Sequence, residues 1–98
     1  EDVIVFADDL EGEELRILMN LVLDHGKRLC AVFGGDEERG FRYVIGSRIL
    51  DMRPLAKELN ETFHGRGGGK SEMVQGSVQG NESEMRAWIQ EKARKMNG

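Results

Sequence analysis

The sequence has little cysteine and no long apolar segment, and each shortage excludes a class of protein. Cys30 is the only cysteine among 98 residues, which excludes an intramolecular disulfide and a zinc site built from thiolates alone. It lies in an apolar run, where a small buried side chain in a reducing compartment is the simplest interpretation. No segment approaches the roughly 20 apolar residues that span a bilayer, and a signal-peptide pattern is absent. We therefore expect a cytoplasmic protein with no membrane partner.

An excess of positive charge is also missing. The formal net charge is −4, whereas domains that bind nucleic acid usually carry a basic balance. Any phosphate contact must therefore come from a local cluster of cations. The chain begins with Glu1 rather than an initiator methionine and has the length of one small domain. We expect residues 1–98 to be a single domain cut from a longer protein.

Apolar runs predict the strands of the fold. Residues 3–7, 29–33 and 41–45 are short apolar segments of strand length, and the last two flank a charged loop at 34–40. This spacing predicts a hairpin with an exposed tip. A fourth strand is expected at residues 72–79, after a glycine-rich stretch.

Helical periodicity predicts three helices between and after these strands. They are expected at residues 11–25, at residues 51–63, and from Asn81 onward, where Asn81 and Glu84 have the spacing of a capping box. The resulting order, β-α-β-β-α-β-α, predicts an α/β fold with a single mixed sheet and helices packed on it.

The glycine-rich stretch is the most informative part of the sequence. It reads His64-Gly65-Arg66-Gly67-Gly68-Gly69-Lys70, with four glycines in five positions. Such a density allows successive backbone N–H groups to point into one concavity, a nest that binds anions and phosphate above all. Arg66 and Lys70 bracket the glycines with positive charge, and His64 adds a group that can donate or accept a hydrogen bond. A tightly turned connector with solvated basic residues is the alternative interpretation.

The stretch fits neither of the common nucleotide-binding patterns. It lacks the Gly-Lys-Ser/Thr ending of a P-loop, and it runs from helix to strand rather than from strand to helix. It also lacks the context of a dinucleotide-binding turn. In the strand that follows, alternate residues Gln75, Ser77 and Gln79 share one face, which places hydrogen-bonding side chains close to the glycines.

The residues after the glycines carry a family resemblance. Lys70-Ser71-Glu72-Met73-Val74-Gln75-Gly76 resembles the signature of the C-terminal domain of alanyl-tRNA synthetases and their stand-alone editing relatives. The same DHH-associated domain accompanies DHH-type phosphoesterases, where the glycine run usually ends in a histidine. The departures from the alanyl-tRNA version are Ser71, where proline is common, and Val74, where alanine is common. The motif covers residues 64–80.

The resemblance implies an accessory domain rather than a catalyst. In synthetases such a domain contacts the tRNA body, so the implied partners are alanine-specific tRNA and the rest of the parent protein, itself a synthetase or an aminoacyl-tRNA hydrolase. No catalytic residue, metal or cofactor is expected in this chain, which lacks the zinc-site and DHH motifs of the family. The implied contacts with phosphate or nucleic acid are His64, Arg66, Gly67, Gly68, Gly69, Lys70 and Gln75.

Two alternative functions stay open at this stage. The domain could be the substrate-binding half of a DHH-type phosphoesterase, with the glycines holding the phosphate of a short nucleotide. It could also be a homodimerisation domain without direct nucleic-acid contact. The acidic balance favours this second alternative, as do Ile17 and Leu21, which widen the apolar surface of the first helix beyond one face.

Overall fold

Strands and helices alternate as the apolar patterning predicts. The computed structural model describes residues 1–97. Its strands are β1 (Asp2–Phe6), β2 (Leu29–Asp36), β3 (Gly40–Ser47), β4 (Arg66–Lys70) and β5 (Met73–Val78), and its helices are α1 (Glu13–Asp24), α2 (Arg53–Thr62) and α3 (Glu82–Arg94). The α/β class and the single mixed sheet are confirmed. The glycine-rich stretch adds one strand, β4, to the predicted order.

The sheet has the strand order β1-β2-β3-β5-β4. β1 and β2 run parallel because α1 carries the chain from one to the other, and the remaining pairs are antiparallel. The predicted hairpin is formed by β2 and β3. A second hairpin joins β4 to β5 through a two-residue turn at Ser71 and Glu72, which makes β4 an edge strand.

Two apolar layers cover the sheet, one on each face. On one face α2 and α3 bury a cluster that includes Phe33, Tyr43 and Ile45. On the other face α1 presents Leu15, Met19 and Leu23 to Cys30, Val32 and Val44. Since α1 packs on β2 and β3, it leaves the same face of β5 and β4 open to solvent.

Specific contacts fix the ends of the helices. The side chain of Asn81 accepts a hydrogen bond of 2.9 Å from the Glu84 N–H and so caps α3, as the sequence pattern predicts. At the other end of α3, the Arg28 guanidinium donates to the Ala93 and Met96 carbonyls at 2.6 and 2.8 Å. It also pairs with Asp2 of β1 at 2.6 Å, which ties the last helix to the first strand. Among the helices that the structure describes, none has the length and apolarity to cross a membrane.

Candidate nucleic-acid interface

The glycine-rich stretch forms an edge strand and not the predicted anion-binding loop. It pairs antiparallel with β5 along its whole length, from Arg66 opposite Ser77 to Lys70 opposite Met73. An extended strand points successive N–H groups to opposite edges, so the amides of Gly67–Gly69 cannot converge in a single nest. The predicted nest geometry is therefore wrong. The assignment of these residues to phosphate binding stays a prediction, and it needs a different structural basis.

Most glycines of the stretch are required by packing. Gly67 lies opposite Gly76, and a Cβ at Gly67 would approach the Cα of Gly76 to 2.6 Å and the Tyr43 hydroxyl to 2.8 Å. A Cβ at Gly65 would approach Asn60 Oδ1 to 2.8 Å, and one at Gly69 would lie against the backbone of β5. These glycines let β4 and its connection to α2 pack tightly against the rest of the fold.

Gly68 is the exception. A Cβ added there would meet no atom within 4 Å, and its backbone is not in the left-handed region that favours glycine. Among the glycines of residues 1–97, it alone has neither a steric nor a conformational reason to lack a side chain. A glycine that the fold does not require is typical of a position where a ligand approaches the backbone.

The register brings polar side chains from three strands onto one surface. Arg42 of β3 lies opposite Ser77 of β5, which in turn lies opposite Arg66 of β4. Gln75 lies opposite Gly68 in the next row on this face. We call this surface, beside α1, the open sheet face, and it consists of Arg42, Arg66, Gly68, Lys70, Gln75 and Ser77, all of them exposed.

The cations of the open sheet face form no ion pair with a carboxylate of residues 1–97. Of the 14 lysines and arginines, nine form ion pairs within residues 1–97, including Arg16 with Glu13 at 2.6 Å. Arg42, Arg66 and Lys70 are among the remaining five, all three on this face. The acidic domain therefore has a local cluster of uncompensated positive charge, which is the arrangement that phosphate recognition needs.

A cleft lies along the α1 side of this face. Its volume is about 470 Å³, and Lys70, Gly68 and Gln75 line it together with Asn20 and Arg48. Arg48 is held there by Asp24 at 2.8 Å and by the Asn20 side chain at 3.3 Å. The cleft therefore joins a fixed, partly neutralised arginine to Lys70, and the Glu72 carboxylate also lines it.

His64 lies at the opposite end of β4, in a strained conformation. It follows α2 with φ 53°, the left-handed region that helix ends usually fill with glycine. The Gly65 N–H donates to the Asn60 carbonyl at 2.8 Å and completes this helix end. The exposed imidazole lines a second cleft, of about 480 Å³, together with Arg42 and Ser77. His64 is thus close to Arg42 and Ser77 and remote from Lys70, which lies six residues and roughly 20 Å further along the chain.

The structure thus divides the predicted site residues into three groups. Arg66, Gly68, Lys70 and Gln75 share the open sheet face, whereas Gly67 and Gly69 alternate to the α2 side, and His64 lies at the end of the strand. Arg42 and Ser77 were not among the predicted contacts. The sequence offers one indication of Arg42, since it is the only charged residue within the apolar strand 41–45. Only the register of the strands shows that Ser77 lies beside Arg42.

Comparisons with known proteins identify the family. A family model described as the DHHA1 domain matches residues 2–96. The alanine–tRNA ligase of Acholeplasma laidlawii (strain PG-8A) is 31% identical over 75 residues, which is 76% of this chain. The chain spans only 9% of that relative's length.

The fold has a solved counterpart. The crystal structure of the C-Ala domain from Aquifex aeolicus alanyl-tRNA synthetase superposes with a TM-score of 0.75 at 20% identity, covering 92% of this chain and 87% of that one. At this identity the likeness is one of fold. The resemblance inferred from residues 64–80 is confirmed by the family match, which spans nearly every described residue, and the chain belongs to the DHHA1 domain family.

Proposed function

We propose that this chain is a tRNA-contacting accessory domain of an alanyl-tRNA synthetase or of a related editing protein. The observation that carries the proposal is the set of uncompensated cations, Arg42, Arg66 and Lys70, on one open sheet face. The family supports the same partner, because the curated relative is an alanine–tRNA ligase. The catalytic residues would then lie elsewhere in a longer cytoplasmic enzyme, and this domain would need no cofactor.

The shape of the surface suits an RNA backbone. Three strands present their side chains on an exposed face, and Gly68 at its centre has no side chain to hold a ligand away. Phosphates would lie over Arg66 and Lys70, while Gln75, opposite Gly68, would hydrogen-bond a sugar or a base edge. Since the domain as a whole is acidic, RNA would be repelled from other surfaces and would bind mainly in this orientation.

Binding of an alanine-specific tRNA transcript to the 98-residue chain tests this function. Arg66→Ala combined with Lys70→Ala should weaken binding by roughly tenfold or more at low salt, because two phosphate contacts are lost. The matched control is Lys27→Ala combined with Lys57→Ala. These two lysines also lack ion pairs among the described residues, so the change of net charge is the same. Equal losses in both variants would contradict a localised site.

Self-association is a second candidate role, favoured by one feature of α1. Ile17 and Leu21 are 59% and 55% exposed and lie one turn apart, so they form an apolar strip on the outer side of the helix. A second copy of the chain could cover it. Sedimentation of the wild-type chain and of Ile17→Ser with Leu21→Ser would test this. A wild-type monomer at high concentration would contradict dimerisation, and the tRNA role does not depend on the outcome.

A further inference from the structure

We propose that Arg42, Ser77 and Arg66 form a clamp for a single phosphate group. The proposal rests on the proposed function, because it specifies how the open sheet face holds RNA. Its basis is the register, in which the three residues occupy one row across β3, β5 and β4. Ser77 lies between the two arginines, and all three side chains are exposed.

The spacing of this row fits one tetrahedral anion. Neighbouring strands lie about 4.8 Å apart, so the Cα atoms of Arg42 and Arg66 are separated by roughly 10 Å with Ser77 midway. Two arginine side chains that lean toward each other meet above the central serine. Each guanidinium can donate two hydrogen bonds to oxygens of a phosphate. The Ser77 hydroxyl can donate one more hydrogen bond to the same phosphate from the sheet side.

Neighbouring carboxylates do not neutralise the row. Arg42 and Arg66 form no ion pair among residues 1–97. Glu13, the acidic residue of α1 that lines a cleft together with Arg42, is already bound to Arg16 through both carboxylate oxygens. Asp8 and Glu11 line the second cleft and would repel an anion from its far side. A phosphate would therefore lie over the sheet row and not deep in the cleft.

The pairing of two arginines around a serine offers nothing to the fold by itself. The two like charges in this row repel each other across β5, although at an exposed position the effect is small. A bound oxyanion removes this repulsion and uses all three side chains. The chemistry points to a phosphate group, which could be an internal phosphodiester of RNA or a terminal phosphate.

Arginine variants and two RNA probes test the clamp. The probes are an alanine-specific tRNA transcript and a 12-nucleotide RNA, prepared with either a 5′-phosphate or a 5′-hydroxyl. Arg42→Ala and Arg66→Ala should each weaken binding by roughly tenfold to a hundredfold. The fold-loss in affinity of the double variant should be smaller than the product of the two single fold-losses, because both side chains bind the same phosphate. Lys57→Ala, on α2, is the matched control because Lys57 also lacks an ion pair among the described residues, and this variant should bind like the wild type.

Salt dependence separates one shared phosphate from two separate ones. The slope of log affinity against log salt should fall by about 1 in the double variant if one phosphate is shared, and by about 2 if two are bound. Arg42→Lys combined with Arg66→Lys should keep the slope but lose affinity, because lysine lacks the planar fork. A slope change of about 2 with additive losses would overturn the clamp.

The outcomes also separate the clamp from the proposed function. If Arg66→Ala with Lys70→Ala weakens tRNA binding but Arg42→Ala does not, the clamp is wrong and the tRNA role stands. If the wild type binds the 12-nucleotide RNA through Arg42 and Arg66 but does not bind tRNA, the clamp stands and the tRNA role fails. If it binds neither probe, both are wrong. A preference for the 5′-phosphate form would identify a terminal phosphate, and equal binding an internal one.

Discussion

The Tyr43 hydroxyl donates a hydrogen bond of 2.9 Å to Oδ1 of Asn60, which joins the central strand β3 to helix α2. The same amide donates from Nδ2 to the Gly67 carbonyl at 3.3 Å, and the Asn60 backbone carbonyl accepts from Gly65. One residue therefore connects the core and the edge strand β4 through its side chain, and the end of α2 through its backbone carbonyl. This connection holds the open sheet face in register, since Arg66 lies between the two glycines that Asn60 contacts.

Removing the Asn60 amide should loosen β4. Asn60→Ala deletes both side-chain hydrogen bonds and leaves the Tyr43 hydroxyl, whose residue is only 1% exposed, without its partner. We expect the free energy of unfolding to fall by about 1–3 kcal/mol in urea denaturation. Asn60→Asp keeps an acceptor for Tyr43 but loses the bond to the Gly67 carbonyl, so it should speed amide exchange at Arg66 and Gly68, whose N–H groups face β5, while costing less stability. Unchanged exchange in both variants would contradict the role of Asn60.

Gly67→Ala and Gly68→Ala should differ although the residues are neighbours. At Gly67 the new methyl group collides with the backbone of β5 and with Tyr43, so we expect a loss of about 1–3 kcal/mol in the free energy of unfolding. At Gly68 the methyl group meets open space, so thermal unfolding should be nearly unchanged while RNA binding weakens. If Gly68→Ala binds RNA like the wild type, close approach of a ligand to this backbone is excluded.

His64→Gly should make the protein more stable. A non-glycine residue in the left-handed region costs about 1–2 kcal/mol, and glycine relieves that cost at φ 53° although it adds some entropy to the unfolded chain. We expect a gain of about 1 kcal/mol in urea denaturation together with weaker RNA binding, because the imidazole beside Arg42 is lost. Greater stability with unaltered binding would remove His64 from the interface.

Alkaline pH should destabilise the fold through Cys30. Burial raises the pKa of this thiol from 9.0 to about 11, so the folded state holds a proton that the unfolded chain releases earlier. The associated stability is fully present below pH 9 and is lost as the pH rises toward 11, at about 1.4 kcal/mol per pH unit. Cys30→Ala should flatten this part of a pH series of urea denaturation. Burial also raises the pKa of Tyr43, so Tyr43→Phe is measured alongside to separate the contribution of the tyrosine from that of the thiol. If Cys30→Ala retains the full slope of stability against pH, the assignment of this slope to Cys30 is wrong.

The sequence predicted the core strands and helices well, because their apolar patterns are set by burial. Residues 29–33 and 41–45 pair as β2 and β3, and Asn81 caps α3. The strand at residues 66–70 could not be anticipated, since three adjacent glycines disfavour a strand locally and only their fit against Gly76 and Tyr43 makes it possible.

Only part of the candidate interface could be predicted from the sequence, because the rest depends on how distant strands pair. Arg66, Lys70 and Gln75 stand out in a basic, glycine-rich segment of the sequence. Arg42 lies 24 positions before Arg66 in the sequence, and it reaches the same surface only because β5 lies between β3 and β4. Long-range register of this kind depends on the packing of the whole sheet and not on any local pattern.

Amide chemical-shift mapping shows residue by residue which surface of the domain contacts tRNA. An alanine-specific tRNA transcript is titrated into the isotope-labelled 98-residue chain, and the backbone N–H signals are followed. We expect the largest changes at Arg42, at residues 66–70 and at residues 75–77, with little change on α2 and α3. Changes concentrated on α2 and α3, or on the outer side of α1 around Ile17 and Leu21, would contradict the open sheet face as the site of tRNA contact.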